Sequence, residues 1–335
     1  MAERILIVAP SWVGDAVLSE PLVAVMREPL EEPIVDVLVP PWCAPVYARM
    51  RGIGSIIENP LAHGELGLGR RRALAREVRA RGYTRAFILP NSFKSALIPW
   101  FAGIPRRTGY AGEGRRALLT ETRRLDPKAF PRLVDRFVAL AVPKGRLVPT
   151  PPAPVLVPNA ANAYAAMRAL TLSTHRRIAI LCPGAEYGPA KRWPAEHFIG
   201  LAQRLRDEGY AVWLVGSPND QAAALPIASA VAGVRDLTGR TDLGTAIDLL
   251  SLASVVVSND SGLMHAAAAV GRPLVALFGS SSPAYTPPLS ELAHVAKIDI
   301  ACSPCFQREC PLGHFKCMRE LDVEVVHDLA RQAST

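Results

Sequence analysis

Short runs of aliphatic and β-branched residues alternate along this chain with longer stretches in which apolar positions recur every three or four residues. The runs at 4–9, 34–39 and 86–89 in the first half, and at 177–182, 211–215, 255–258 and 274–278 in the second, are almost wholly apolar. Runs of that length without polar alternation predict strands buried on both faces, as in a parallel sheet. Helical spacing predicts helices over 15–27, 44–50, 70–82, the stretch ending at Phe101, 194–208, 218–232, 245–253 and 261–270. Strand followed by helix, again and again, predicts an α/β fold of doubly wound parallel sheets.

The alternation is interrupted once. Prolines 143, 149, 151, 152, 154 and 158 crowd one segment, and proline fixes φ and removes a backbone donor, so neither helix nor inner strand can run there. The segment reads as a semi-rigid linker, with domains at 1–155 and 156–335. The chain has 335 residues, enough for two ordinary cores.

Charge divides at the same place. Residues 1–158 hold 23 Lys+Arg and 14 Asp+Glu, whereas residues 159–335 hold 15 and 16. The whole excess of +8 therefore comes from the first half, which points to an anionic partner or to a plain basic surface. Aromatic residues are only 6% of the chain, and no helix-turn-helix pattern is present, so nucleic-acid binding is disfavoured. No apolar run reaches the roughly 18 residues of a membrane-spanning helix. The opening segment shows no signal-peptide pattern, so a cytoplasmic location is expected.

In open parallel sheets, ligands meet the loops that follow the strands. After the first strand comes Ser11-Trp12-Val13-Gly14-Asp15, a single glycine rather than a dinucleotide fingerprint, with an acid where a helix begins. Such an acid is either a dipole partner for the helix or a functional carboxylate. The segment 183–194 combines Gly184 and Gly188 with Glu186, Lys191 and Arg192 just ahead of a helix, a pattern suited to phosphates though not a Walker loop. The segment 258–265, Ser-Asn-Asp-Ser-Gly-Leu-Met-His, opens another helix. There Ser261 and Gly262 present free amides, Asp260 a carboxylate, and His265 an imidazole one turn on.

Gly14-Asp15, Lys191-Arg192-Trp193-Pro194 and the 259–265 segment resemble the bacterial lipopolysaccharide heptosyltransferases of glycosyltransferase family 9. So do 89–97, Leu-Pro-Asn-Ser-Phe-Lys-Ser-Ala-Leu, and 103–109, Gly-Ile-Pro-Arg-Arg-Thr-Gly. The resemblance covers nearly the whole chain. It implies a GT-B arrangement, two Rossmann-like domains facing a cleft, with the acceptor on the N-terminal and ADP-heptose on the C-terminal domain. It further implies inverting transfer of L-glycero-D-manno-heptose from ADP-heptose to the first heptose of the lipopolysaccharide inner core. Asp15 would be the base, and Lys191 would stabilise the leaving diphosphate. Asp260, Ser261, Gly262, His265, Arg192, Gly184 and Glu186 would hold the donor, and Asn91, Ser92, Lys94 and Arg107 the acceptor. No metal is needed for that chemistry.

On this resemblance the basic half would meet a Kdo–lipid A–heptose acceptor at the inner face of the inner membrane, peripherally, through such residues as Lys94, Arg106, Arg107, Arg115, Arg116, Arg123 and Arg124. Transfer at another core position by a relative of the same family, or a sugar-nucleotide epimerase of the same fold, are the alternatives.

Six cysteines complete the inventory: Cys43, Cys182, and a cluster at Cys302, Cys305, Cys310 and Cys317 with His314 inside it. A cytoplasmic setting predicts thiols or metal ligands rather than disulfides. The cluster has the ligands for a structural zinc, or is a set of buried or redox-active thiols. In either case it is expected to lie outside the chemistry.

Overall fold

The apolar runs do form strands, and each half of the chain builds one six-stranded parallel sheet. The computed structural model describes residues 3–62, 64–172 and 175–334. Met1, Ala2 and Thr335, which bound the two expected domains, lie outside the described residues. The chain divides into two units, Met1–Pro154 and Val155–Thr335. The division falls within 142–159, where neither helix nor strand forms, as its missing proline donors require. Beyond the division, Leu156 is buried and its N–H donates to the Ala269 carbonyl at 2.9 Å, so the chain is seated on the second unit at once.

In the first unit the strands are β1 (Arg4–Val8), β2 (Ile34–Val39), β3 (Ile56–Glu58), β4 (Arg85–Ile88), β5 (Arg106–Tyr110) and β6 (Glu121–Arg123), ordered β3-β2-β1-β4-β5-β6. In the second they are β7 (Ile178–Cys182), β8 (Ala211–Leu214), β9 (Arg235–Asp236), β10 (Val255–Asn259), β11 (Leu274–Leu277) and β12 (Ala293–Ala296), ordered β12-β11-β10-β7-β8-β9. All pairings are parallel. The inner strands bury nearly every side chain, and helices pack against them: Leu181, Val257 and Val275 meet Phe198, Leu201 and Val326 in the second unit. In the first, Leu6 and Ile88 meet Val78 and Ile98.

Pattern misses five strands: β3, β6, β9 and β12, two to four residues long at sheet edges, and the interior β5, whose Arg-Arg-Thr-Gly-Tyr sequence is not an apolar run. An edge strand needs no long apolar run, because only one neighbour and part of one face are covered. The helix expected over 15–27 is two helices, Val13–Leu18 and Glu20–Arg27. Pro21 has no N–H to give to Val17, so the helix restarts around Ser19, whose hydroxyl donates to the Ala16 carbonyl at 2.7 Å and shares a 2.8 Å bond with the Tyr47 hydroxyl.

Both sheets reverse their strand order once. In the first unit the reversal lies between β1 and β4, and in the second between β7 and β10. At such a point the loops leaving the two adjacent strands turn to opposite faces and open a crevice at the carboxyl edge. The loops singled out from sequence are the ones that flank these points: Asp15 after β1 and 89–97 after β4, then 183–194 after β7 and 260–265 after β10.

Candidate functional site

In the second unit, Asn259 at the end of β10 ties the two loops together. Fully buried, it donates from Nδ2 to the Pro183 carbonyl at 2.7 Å and accepts the Trp193 N–H at 3.0 Å. The loop after β7 is thereby pinned at both ends. The Trp193 indole fills the core beneath it and donates to the Leu321 carbonyl at 2.9 Å.

Pinning brings Lys191 and Asp260 together across 69 positions of sequence: Nζ lies 2.5 Å from Oδ2. The Lys191 side chain is 16% exposed and that of Asp260 4%, so the pair is largely withdrawn from water and its attraction little screened. The Ser281 hydroxyl donates to the same carboxylate oxygen. The Lys191 ammonium also stands 4.9 Å from the centre of the Tyr187 ring, and the Arg308 guanidinium 5.2 Å from that ring. Cation–π contact of this kind keeps Lys191 from swinging freely.

The helix Gly262–Ala269 begins beside this pair, with Ser261 at its N-cap and no side chain capping its first amides. Free amides and the positive end of the helix dipole favour an anion there. His265, on the same helix, is buried. Burial pushes its imidazole pKa down to about 4; Asp260 opposes that shift and the Lys191 charge adds to it. The side chain is therefore neutral at pH 7 and not a second cation.

Gly184 sits against the Asp220 carboxylate so closely that any Cβ would overlap it. Asp220 in turn accepts from the Ser217 N–H and hydroxyl, each at 2.8 Å. Glu186, which is exposed, accepts from Asn219 Nδ2 at 3.2 Å. The loops after β7 and β8 thus share one rim. The Arg192 Nη2 donates to the Ala185 carbonyl at 3.3 Å, closing its own loop.

In the first unit Asp15 lies inside the first turn of Val13–Leu18, half-buried, and its charge raises the pKa values of Cys43 and Tyr47, in both of which burial is the larger cause. The loop after β4 rests on Arg115. That residue, offered from sequence as a surface contact, is fully buried. It donates to the carbonyls of Tyr110 (2.9 Å), Ser92 (3.3 Å) and Pro90, to the Ser95 hydroxyl (2.9 Å) and to Asn91 Oδ1 (3.2 Å). Burial lowers its pKa to about 10, still charged at neutral pH. Arg107 is likewise occupied, donating to the carbonyls of Leu118 at 2.7 Å and Ile104. Lys94 is half-buried, and its carbonyl accepts from Arg71 at 3.1 Å. Asn91 is exposed and Ser92 half-buried at the loop's crest.

Pattern reading passed over Ser281 and the anchoring role of Asn259. Ser281 lies in Gly279-Ser280-Ser281-Ser282, a small polar run directly after a buried strand, which the strand-then-loop rule would have reached. Nothing in sequence marks Arg115 as buried, since arginines are mostly exposed.

Against known proteins, residues 71–316 match the model of glycosyltransferase family 9 (heptosyltransferase). The chain is 46% identical over 307 residues to lipopolysaccharide heptosyltransferase 2 of Escherichia coli K12, covering 88% of each. It is 43% identical over 309 residues to lipooligosaccharide heptosyltransferase 2 of Haemophilus influenzae, again covering 88% of each. The solved structure of E. coli ADP-heptose LPS heptosyltransferase II superposes with a TM-score of 0.88 at 39% identity, covering 99% of this chain and 98% of that one.

Proposed function

Because the chain belongs to glycosyltransferase family 9, the heptosyltransferases, we propose that it moves L-glycero-D-manno-heptose from ADP-heptose to the first heptose of the lipopolysaccharide inner core, with inversion at the anomeric carbon. Transfer of heptose in lipopolysaccharide synthesis follows from its relatives; donor, acceptor and stereochemistry are the proposal. The observation that carries it is the Lys191–Asp260 pair at the N-terminus of Gly262–Ala269, on the switch point of the second sheet.

An acceptor hydroxyl attacks well only as its proton leaves, and the half-buried Asp15 carboxylate is the base. As the anomeric C–O bond breaks, an oxocarbenium-like centre forms and negative charge gathers on the departing diphosphate. Lys191 and the amides of Ser261 and Gly262 receive that charge as fixed, preorganised donors. Asp260, already engaged by Lys191 and Ser281, holds the ammonium in register and presents its remaining acceptor capacity to the donor sugar. Neutral His265 supports the same loop. Gly184 lets the backbone approach the nucleotide, with Glu186 at its rim.

Asn91, Ser92 and Lys94 crown the loop assigned to the acceptor. Arg107, assigned to the acceptor with them, is braced by bonds from its Nε and Nη1 to backbone carbonyls. Among the described residues no helix is long and apolar enough to cross a membrane. The basic first half, with Trp100 and Phe93 exposed, suits peripheral contact with an anionic leaflet.

The test is mass spectrometry of products from purified protein, ADP-heptose and a heptosylated Kdo–lipid A acceptor. A gain of one heptose, lost in Asp15→Asn, is expected. A gain only on an acceptor lacking the first heptose moves the reaction one step earlier. No transfer to either acceptor sinks the proposal.

A further inference from the structure

The four clustered cysteines, expected to lie outside the chemistry, adjoin the loop that carries Lys191. Cys302, Cys305, Cys310 and Cys317 ring a cavity of about 50 Å³ whose wall also includes Ala190 and Ser280. These two residues adjoin Lys191 and Ser281, the partners of Asp260. The cysteine segment is moreover stitched to the site loops by backbone bonds. The Ala190 N–H donates to the Arg308 carbonyl at 3.0 Å, and the Phe306 N–H to the Ser280 carbonyl at 2.6 Å. The Tyr187 hydroxyl donates to the Phe306 carbonyl at 2.7 Å. At Gly188 a Cβ would overlap the Arg308 carbonyl, so the two backbones touch there.

The sulfurs are placed for ligation. A turn through Gly313 (φ 68°) and Phe315 (φ 51°) aims backbone N–H groups at Cys310, with the Phe315 nitrogen 3.4 Å from Sγ. An amide directed at sulfur is the contact that a metal-bound thiolate accepts. Among the described residues Phe306, directly after Cys305, and Phe315, two residues before Cys317, have left-handed φ, a conformation that needs enforcement from outside the local chain.

We propose that Cys302, Cys305, Cys310 and Cys317 bind one soft divalent metal ion as a tetrathiolate, clamping the cysteine segment onto the loop that carries Lys191. Each S–H proton passes to solvent as its metal–sulfur bond forms. A four-sulfur tetrahedral set suits zinc or ferrous iron. The sulfurs surround the cavity without touching: among the described residues, the ligand atoms found within 4.8 Å of one another in threes are those of Glu324, His327 and Asp328, not the cysteines. A closed zinc tetrathiolate has sulfurs roughly 3.8 Å apart. Ligation therefore draws the ring inward and, through Arg308, tightens residues 188–190.

The experiment uses the full chain, purified under reducing conditions, stripped with a chelator and titrated with Co²⁺ or Zn²⁺. One equivalent of Co²⁺ should give the charge-transfer and d–d bands of tetrahedral cobalt thiolate. Cys310→Ser should lose them and Cys43→Ser should keep them, both folded by circular dichroism. Elemental analysis of unstripped protein then separates zinc from iron. Absence of cobalt–thiolate bands in the folded wild type overturns the site. Hydrogen exchange reads the clamp, with the Ala190 amide expected to exchange about tenfold faster after stripping; an unchanged rate with metal bound overturns it. Neither readout depends on heptose transfer, so its failure and that of the catalytic assignment are told apart.

Discussion

The two sheets reverse at equivalent points, yet the loops at those points are built in opposite ways. In the second unit the charged side chains engage one another. Lys191, Asp260 and Ser281 close a compact set over a helix N-terminus, with Asn259 fixing the loops around it. In the first unit a buried cation, Arg115, supports the backbone of the 90–95 loop from beneath and leaves Asn91 exposed at the crest. The difference fits two kinds of ligand. A diphosphate needs charge fixed in place before it arrives, because reorganising charge during the reaction raises the barrier. A hydroxyl-rich acceptor needs a shaped surface and one base.

The sharpest way to break this comparison is at the base. Asp15→Asn should lower kcat by about 10²–10⁴ while leaving the Kd for ADP unchanged; a fall in nucleotide affinity of similar size would instead place Asp15 with the donor. Lys191→Ala should come next, lowering kcat/KM by about 10²–10³ and weakening ADP binding as well. Calorimetric titration with ADP separates the two variants.

Arg115→Met probes the scaffold rather than the chemistry. It leaves several buried carbonyls without a donor, and should cost about 3 kcal/mol in urea unfolding. If Arg115→Lys restores stability but not activity, the guanidinium fork is what shapes the loop. A stability unchanged in both variants would remove Arg115 from the account.

The smallest effect is the pH dependence from His265. Its imidazole titrates near 6.5 when unfolded and at about 4 when folded. Between those values the unfolded chain takes up a proton that the folded chain refuses. Stability is therefore full above pH 6.5 and declines as pH falls toward 4, by on the order of 2–3 kcal/mol. His265→Gln should flatten that part of the profile, and an identical slope in both proteins would assign it to another group.

Much of this architecture is legible along the chain because it rests on local rules. Buried parallel strands must be apolar on both faces, so β1, β2, β4, β7, β8, β10 and β11 announce themselves. Prolines cannot continue a sheet or helix, so the boundary near residue 155 is visible too. Edge strands such as β9 escape, since their residues need satisfy only one neighbour. Among site residues, Asp15, Lys191 and Asp260 stand out by charge in loops that follow strands, a one-dimensional signal.

What the chain alone determined was which loops carry candidate chemistry, because each follows a buried apolar strand and so lies at the carboxyl edge of a parallel sheet. Only the tertiary structure decided how charge is shared within them. It paired Lys191 with Asp260, spent Arg107 and Arg115 on backbone carbonyls, and laid the cysteine segment against Ala190 and Ser280. Those outcomes depend on burial and on contacts between residues from a few to more than a hundred positions apart. A charged side chain's role is set by the dielectric and the partners it meets in space, and neither is written in its neighbours along the sequence.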